Sequence, residues 1–223
     1  MKYRHEWKHE ITAFDVLCLR QRLSAVMQAD PHAVDGRYLV RSLYFDDLRD
    51  KALQDKLNGV SRREKFRLRC YNSDDSYLVL EKKSKVGGLC AKEQARLTRL
   101  QAEALLAGDT DALRDSPDPL VQELCAKMRT QGLRPKTIVD YTREPFIFAP
   151  GNVRVTLDYN IRTGLQSTDF FDFHCPTIPA GDAPAVLEVK WDEYLPAVIR
   201  DLVQVPTTRS SAFSKYAACR MYG

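Results

Sequence analysis

The residues best equipped for chemistry recur at every second position. Arg4-x-Glu6-x-Lys8, Lys65-x-Arg67-x-Arg69, Glu81-x-Lys83-x-Lys85, Arg154-x-Thr156-x-Asp158 and Glu188-x-Lys190 all repeat charged or polar side chains two apart. In a strand, residues two apart share a face. The intervening residues are apolar in most of these stretches: Phe66 and Leu68, Leu78 and Leu80, Leu187, Val189 and Trp191. On the long stretch 152–163, Val153, Val155, Leu157, Tyr159 and Ile161 fall on one face, with Arg154, Thr156, Asp158 and Arg162 on the other. Lys92, Gln94 and Arg96 share a face, as do Val139, Tyr141 and Arg143. Arginine forks hold phosphate oxygens in pairs and lysine adds point charge. Carboxylates placed among them can hold a divalent metal that bridges phosphate oxygens. The implied chemistry is metal-assisted handling of an elongated phosphate. Taken singly, each strand also fits a sheet with one dry and one solvated face.

The elements that must position these residues are eight strands, expected at residues 4–11, 38–46, 63–71, 77–85, 89–97, 136–148, 152–163 and 185–191. Asn72-Ser73-Asp74-Asp75 and Gly87-Gly88 are hairpin signals, so much of the sheet should be antiparallel. Thr12 with Asp15 opens a helix whose apolar positions Phe14, Leu17, Cys18, Val26 and Met27 run to about residue 29. Further helices are expected at 48–57, 101–107, 119–131, 194–203 and 214–221, with 172–184 a loop inside the fold. The helices need an apolar surface. If the strands close into a barrel with helices outside, the charged face becomes a lumen, which must stay wet because dry, unpaired charges cost several kcal/mol each. Trp7 and Trp191 fall on apolar faces and are expected under the helices; His5 and His9 read as packing or surface residues.

Composition sets the bounds. The 223 residues include 34 Lys+Arg and 30 Asp+Glu, a formal net charge of +4. This is globular composition, and it does not suggest a nucleic-acid coat. The six cysteines are scattered, without C-x-x-C or zinc spacing, and read as free thiols. The polar N-terminus is no signal peptide, and no apolar run reaches membrane-span length. A single cytoplasmic domain over residues 1–223 is expected.

Arg4-His-Glu-Trp-Lys8, Ser42-Leu-Tyr-Phe-Asp46, Lys65-Phe-Arg-Leu-Arg69, Leu80-Glu-Lys-Lys83, Val139-Asp-Tyr-Thr-Arg143, Arg154-Val-Thr-Leu-Asp158, Leu187-Glu-Val-Lys190 and Phe213-Ser-Lys-Tyr216 follow in this order. Together they resemble the catalytic domain of the vacuolar transporter chaperone family, polyphosphate polymerases within the triphosphate tunnel metalloenzyme superfamily. The resemblance implies an α+β fold: an eight-stranded antiparallel tunnel with helices outside. It implies transfer of the ATP γ-phosphate onto polyphosphate with a divalent metal, Mn²⁺ or Mg²⁺. Carried onto matching positions, Arg67, Arg69, Lys83, Arg143, Arg154 and Lys215 would act on the reacting phosphates. Lys8, Lys92, Tyr141, Lys190 and Ser214 would bind substrate. Glu188 would coordinate the metal, with Glu6 and Glu81 as further candidates. The partners implied are ATP, polyphosphate or triphosphate and a membrane protein at the inner face of the membrane.

Two departures bear on the reaction. Tunnel hydrolases often begin Glu-x-Glu-x-Lys, and Arg4 stands at the first of those positions. Ala212 stands where the family can carry a lysine. The sequence shows neither the fused sensor domain nor the membrane spans of eukaryotic members, which resembles stand-alone bacterial proteins. A tunnel triphosphatase and a non-catalytic polyanion-binding module are the alternatives; Arg4 disfavours the first, and Glu188 with Lys215 disfavours the second.

Overall fold

The computed structural model describes residues 3–182, 185–205, 209–210 and 213–221. Eight strands form its frame: β1 Tyr3–Ile11, β2 Tyr38–Asp46, β3 Arg63–Tyr71, β4 Asp74–Val86, β5 Leu89–Leu97, β6 Arg134–Phe148, β7 Val153–Thr163 and β8 Ala185–Trp191. Every neighbouring pair is antiparallel, in the order β6-β2-β3-β4-β5-β1-β8-β7, and β7 returns to pair with β6. The barrel is closed, as the resemblance implies. Asn72 and Ser73, then Gly87 and Gly88, take left-handed backbone conformations in two-residue turns. Such turns match the twist of the strands they join.

Among the described residues, five helices accompany the strands outside the bore: α1 Ala13–Val26, α2 Lys51–Leu57, α3 Arg99–Ala107, α4 Pro119–Gln131 and α5 Ala197–Leu202. Thr12 and Asp15 cap α1 reciprocally, and Thr98 with Gln101 does the same for α3. Two apolar layers lie outside the barrel. α3 and α4 cover Leu43, Phe45, Phe66, Leu68 and Leu80. α1 and α5 cover Val153, Val155, Leu157, Leu187 and Val189. With both layers outside, the opposite faces of the strands enclose the bore.

A third apolar cluster lies within the barrel. Val40, Tyr44, Val139, Tyr141, Ile161 and Val186 pack there against Tyr216 and Cys219 of a short helix, α6 Lys215–Cys219. This helix fills the barrel beside Asp46, leaving the opposite rim, beside Tyr38, uncovered by it. Among the described residues no helix is long and apolar enough to cross a membrane.

Three expectations are corrected. First, α1 buries Val16, Leu19 and Leu23, with Met27 beyond its end, while Phe14 is 72% and Leu17 54% exposed. Positions 16, 19, 23 and 27 share one face at 3.6 residues per turn, and Phe14 and Leu17 stand off it. The helix stops at Val26 because Gln28–Ala29 pairs with Phe146 and Ile147 as a short strand. Second, Trp7 is on the outer face but 39% exposed, meeting buried Trp191 edge-on at 4.7 Å. Third, the alternation along β7 inverts after Asn160. That residue has φ 51°, and the β6–β7 register slips between Asp140 and Thr142. The bulge turns Ile161 into the interior cluster and directs Arg162 to Thr177 instead of toward Asp158.

Candidate functional site

Among the described residues, nine cations line the bore between its rims: Lys8, Lys65, Arg67, Arg69, Lys83, Lys92, Arg143, Lys190 and Lys215. Four carboxylates lie among them: Glu6, Glu81, Asp158 and Glu188. The excess predicted from strand parity is therefore positive and internal.

The carboxylates organise the cations into groups. Glu81, 1% exposed, accepts from Arg67 Nε at 2.7 Å and Lys92 Nζ at 2.7 Å, and meets Arg69 Nη1 at 3.3 Å. Arg69 also donates to Ser42 Oγ at 3.1 Å and the Tyr141 hydroxyl at 3.0 Å; Arg67 donates to the Tyr44 hydroxyl at 2.9 Å. These contacts fix the guanidinium planes while leaving further N–H groups for a ligand. Asp158, fully buried, takes both Arg143 Nε and Nη2, at 2.6 and 2.7 Å, and Lys215 Nζ at 2.6 Å. Ser214 caps the N-terminus of α6 and so fixes the direction from which Lys215 enters.

Glu6 and Glu188 come together on adjacent strands, where Glu6 faces Lys190 and Lys8 faces Glu188 in register. Lys83 and Lys8 hold Glu6 at 2.5 and 2.9 Å, and Lys190 holds Glu188 at 2.5 Å. Glu81 lies apart from this pair, among the arginines. Among the described residues no cluster of three or more His, Cys, Asp or Glu forms a metal cage. Two neighbouring ionised carboxylates still fit a divalent cation that shares its remaining positions with phosphate oxygens and water, the usual pattern for Mg²⁺.

Burial drives all four carboxyls up, and the cations more than reverse it. Glu6 is also raised by Glu188, yet Lys8, Lys83 and Lys190 hold it at about 2. Arg143 and Lys215 hold Asp158 at about 2. Arg69, Arg67 and Lys92 keep Glu81 well below the carboxylate range, and Lys190, Lys8, Lys83 and Arg143 do so for Glu188. Groups depressed in the folded state stabilise it above their unfolded values and lose that contribution as pH falls through the folded ones. Thermal melts should therefore hold steady from neutral pH to about pH 5 and fall steeply toward pH 2. A melting temperature unchanged down to pH 3 would contradict the network.

At the Tyr38 rim, Arg154 donates to Asp30 Oδ2 and the Tyr38 hydroxyl, both at 2.7 Å. Arg4 bonds the Asn152 carbonyl and pairs with Asp192 at 2.8 Å, so no carboxylate extends the Glu6–Glu188 pair from that position. At the other end Tyr216 stacks on Tyr44 at 4.8 Å and donates to Asp46 Oδ2 at 2.7 Å. Ala212 lies outside the described residues.

Ser42 and Tyr44 were not among the site residues inferred from sequence, and Lys65 was placed on the charged face with Arg67 and Arg69 but given no role of its own. Their signal was present, since Ser42, Tyr44 and Asp46 share one parity and Lys65 continues that of Arg67 and Arg69. Asp30 gave no such signal, because it reaches Arg154 from a loop 124 residues away. The cysteines are all free, and Cys18 and Cys90 are only partly buried.

A closed antiparallel barrel of eight strands with helices outside and cations within is a triphosphate tunnel fold. Solved structures agree on the fold. The Hippeastrum protein HpAC1, a candidate adenylyl cyclase described as having a dominant triphosphatase activity, is 15% identical, with TM-score 0.56, and 98% of this chain and 95% of that one are covered. A candidate adenylate cyclase from Bacillus halodurans is 15% identical, with TM-score 0.52, and 92% of this chain and 94% of that one are covered. No curated protein matches the chain. The VTC domain family model matches residues 3–222, and the chain belongs to that family.

Proposed function

We propose that this chain is a polyphosphate polymerase, which binds the triphosphate of ATP in the bore and transfers its γ-phosphoryl group to a polyphosphate chain. The bond from the γ-phosphorus to the β,γ-bridging oxygen breaks, a bond forms from that phosphorus to a terminal oxygen of the acceptor, and ADP leaves with the bridging oxygen. The acceptor oxygen is already anionic, so no serine or cysteine nucleophile is required. Catalysis is then positioning and charge stabilisation. Arg67, Arg69 and Arg143 present fixed forks to the equatorial oxygens, while Lys83, Lys92, Arg154 and Lys215 add charge. Lys8, Lys190, Tyr141 and Ser214 orient the substrate or the groups that grip it. Glu6 and Glu188 would hold Mn²⁺ or Mg²⁺, which would neutralise charge on the bound phosphates. Glu81 orients Arg67, Arg69 and Lys92.

The observation that carries this reading is the mismatch in the lining between the rims: nine cations against four carboxylates, each carboxylate already held by cations. Such a bore favours a polyanion longer than one metal-bound phosphate. A second reading, hydrolysis with water as acceptor, is supported by the triphosphatase activity described for the Hippeastrum protein. The product would pass to a membrane-protein partner from the cytoplasmic side. ATP with Mn²⁺ should yield polymer visible by metachromatic staining on a gel. Free phosphate without polymer selects the hydrolase, and binding without turnover selects a non-catalytic module.

A further inference from the structure

Lys65, Lys83 and Lys92 face one another in register across β3, β4 and β5. Like charges directly opposite each other in a sheet are destabilising. Lys83 is offset by Glu6 at 2.5 Å and Lys92 by Glu81 at 2.7 Å. Lys65 has no carboxylate within ion-pair distance among the described residues; its ammonium lies 5.3 Å from the centre of the Tyr44 ring. It is the one uncommitted cation of the lining as described. Burial pushes its pKa down to about 7; the Tyr44 hydroxyl opposes that fall, and Lys83, Lys8 and Arg67 add to it.

Position gives this surplus a purpose. Lys65 lies two residues beyond Arg67 along β3, one further step of roughly 7 Å toward the Asp46 rim. At that rim it borders a cavity of about 310 Å³ of mixed charge, with Asp46, Asp47, Asp55 and Glu64 beside Lys51 and Arg62. A ligand held by Arg67 and Arg69 stops short of Lys65 if it is small and reaches it if it is longer.

We infer that Lys65, seated against Tyr44, is a phosphate subsite that selects for chain length, engaging a phosphate beyond those held by Arg67 and Arg69. This rests on the reading of the bore as a polyphosphate site and adds the residue that tells a long chain from a short one. The anion would take the place of the missing carboxylate and relieve the row of three lysines.

Titration calorimetry with pyrophosphate, tripolyphosphate and a longer polyphosphate of defined length, on the full chain, tests the subsite. For the wild type, affinity should rise at least tenfold from pyrophosphate to the longer chain. In Lys65→Met that rise should shrink to about twofold with pyrophosphate binding unchanged, and Lys65→Arg should restore it. Ligand-free Lys65→Met should melt no lower than the wild type, because the lysine is repelled there; a residue with only a structural role would lower it. Length dependence that persists in Lys65→Met, equal loss at every length, or a lower ligand-free melt overturns the subsite. A wild type that binds long chains selectively yet forms no polymer overturns only the transferase reading.

Discussion

Arg67→Ala is expected to weaken tripolyphosphate binding by about 2–3 kcal/mol, roughly 30- to 150-fold, the scale of charge-assisted bonds lost from one fork. Arg67 reaches the bore from the middle of β3, anchored by Glu81 at 2.7 Å and the Tyr44 hydroxyl at 2.9 Å. Its removal takes away a preset donor. It also leaves Glu81 with Arg69 and Lys92 alone, so the carboxylate competes harder for both. Lys82→Ala is the matched control. Lys82 sits next along β4 from Glu81 but faces outward, held by Glu123 at 2.6 Å, and its loss should leave binding within a factor of two. Equal effects of the two substitutions would mean that the bore is not where the phosphate binds.

The largest effect on stability should come from Asp158→Ala. Asp158 is fully buried and neutralises Arg143 and Lys215 together. Removing one partner from a buried ion pair costs about 3–5 kcal/mol, because the remaining charge is left without compensation. Chemical denaturation should register that loss. The two stranded cations then create a vacancy that a phosphate can fill. Tripolyphosphate should therefore raise the melting temperature of Asp158→Ala more than that of the wild type, since a ligand stabilises according to its affinity for the folded state. A variant that is weakened but gains no more from the ligand would place this pair outside the binding path.

Alternation made the bore legible in the sequence. Glu6 with Lys8, Arg67 with Arg69, Glu81 with Lys83 and Glu188 with Lys190 all lie two apart on strands whose apolar residues lie between them, while closure of the sheet came from the family resemblance. The inversion at Asn160 was not legible, because one residue in a left-handed conformation leaves the pattern of residue types intact while exchanging the sides of Ile161 and Arg162. The apolar filling beside Asp46 was hidden for a related reason: Val139 and Tyr141 share parity with Arg143, and only the docking of α6 separates their surroundings. The solitary state of Lys65 depends on which residues face it across β4 and β5. That is a matter of register, which no single strand encodes.

The closure itself has a consequence for how the chain is made. β1 finds its partner in β8, far along the chain, where His5 faces Trp191. Lys215 reaches Asp158 only after that. Pairings between such distant segments form slowly, because the entropy of loop closure precedes any gain from contact. Until they form, the cation-rich sides of β1, β3 and β4 belong to an open sheet that any cellular polyanion can touch. Selectivity for a phosphate ligand therefore depends on these distant pairings having closed.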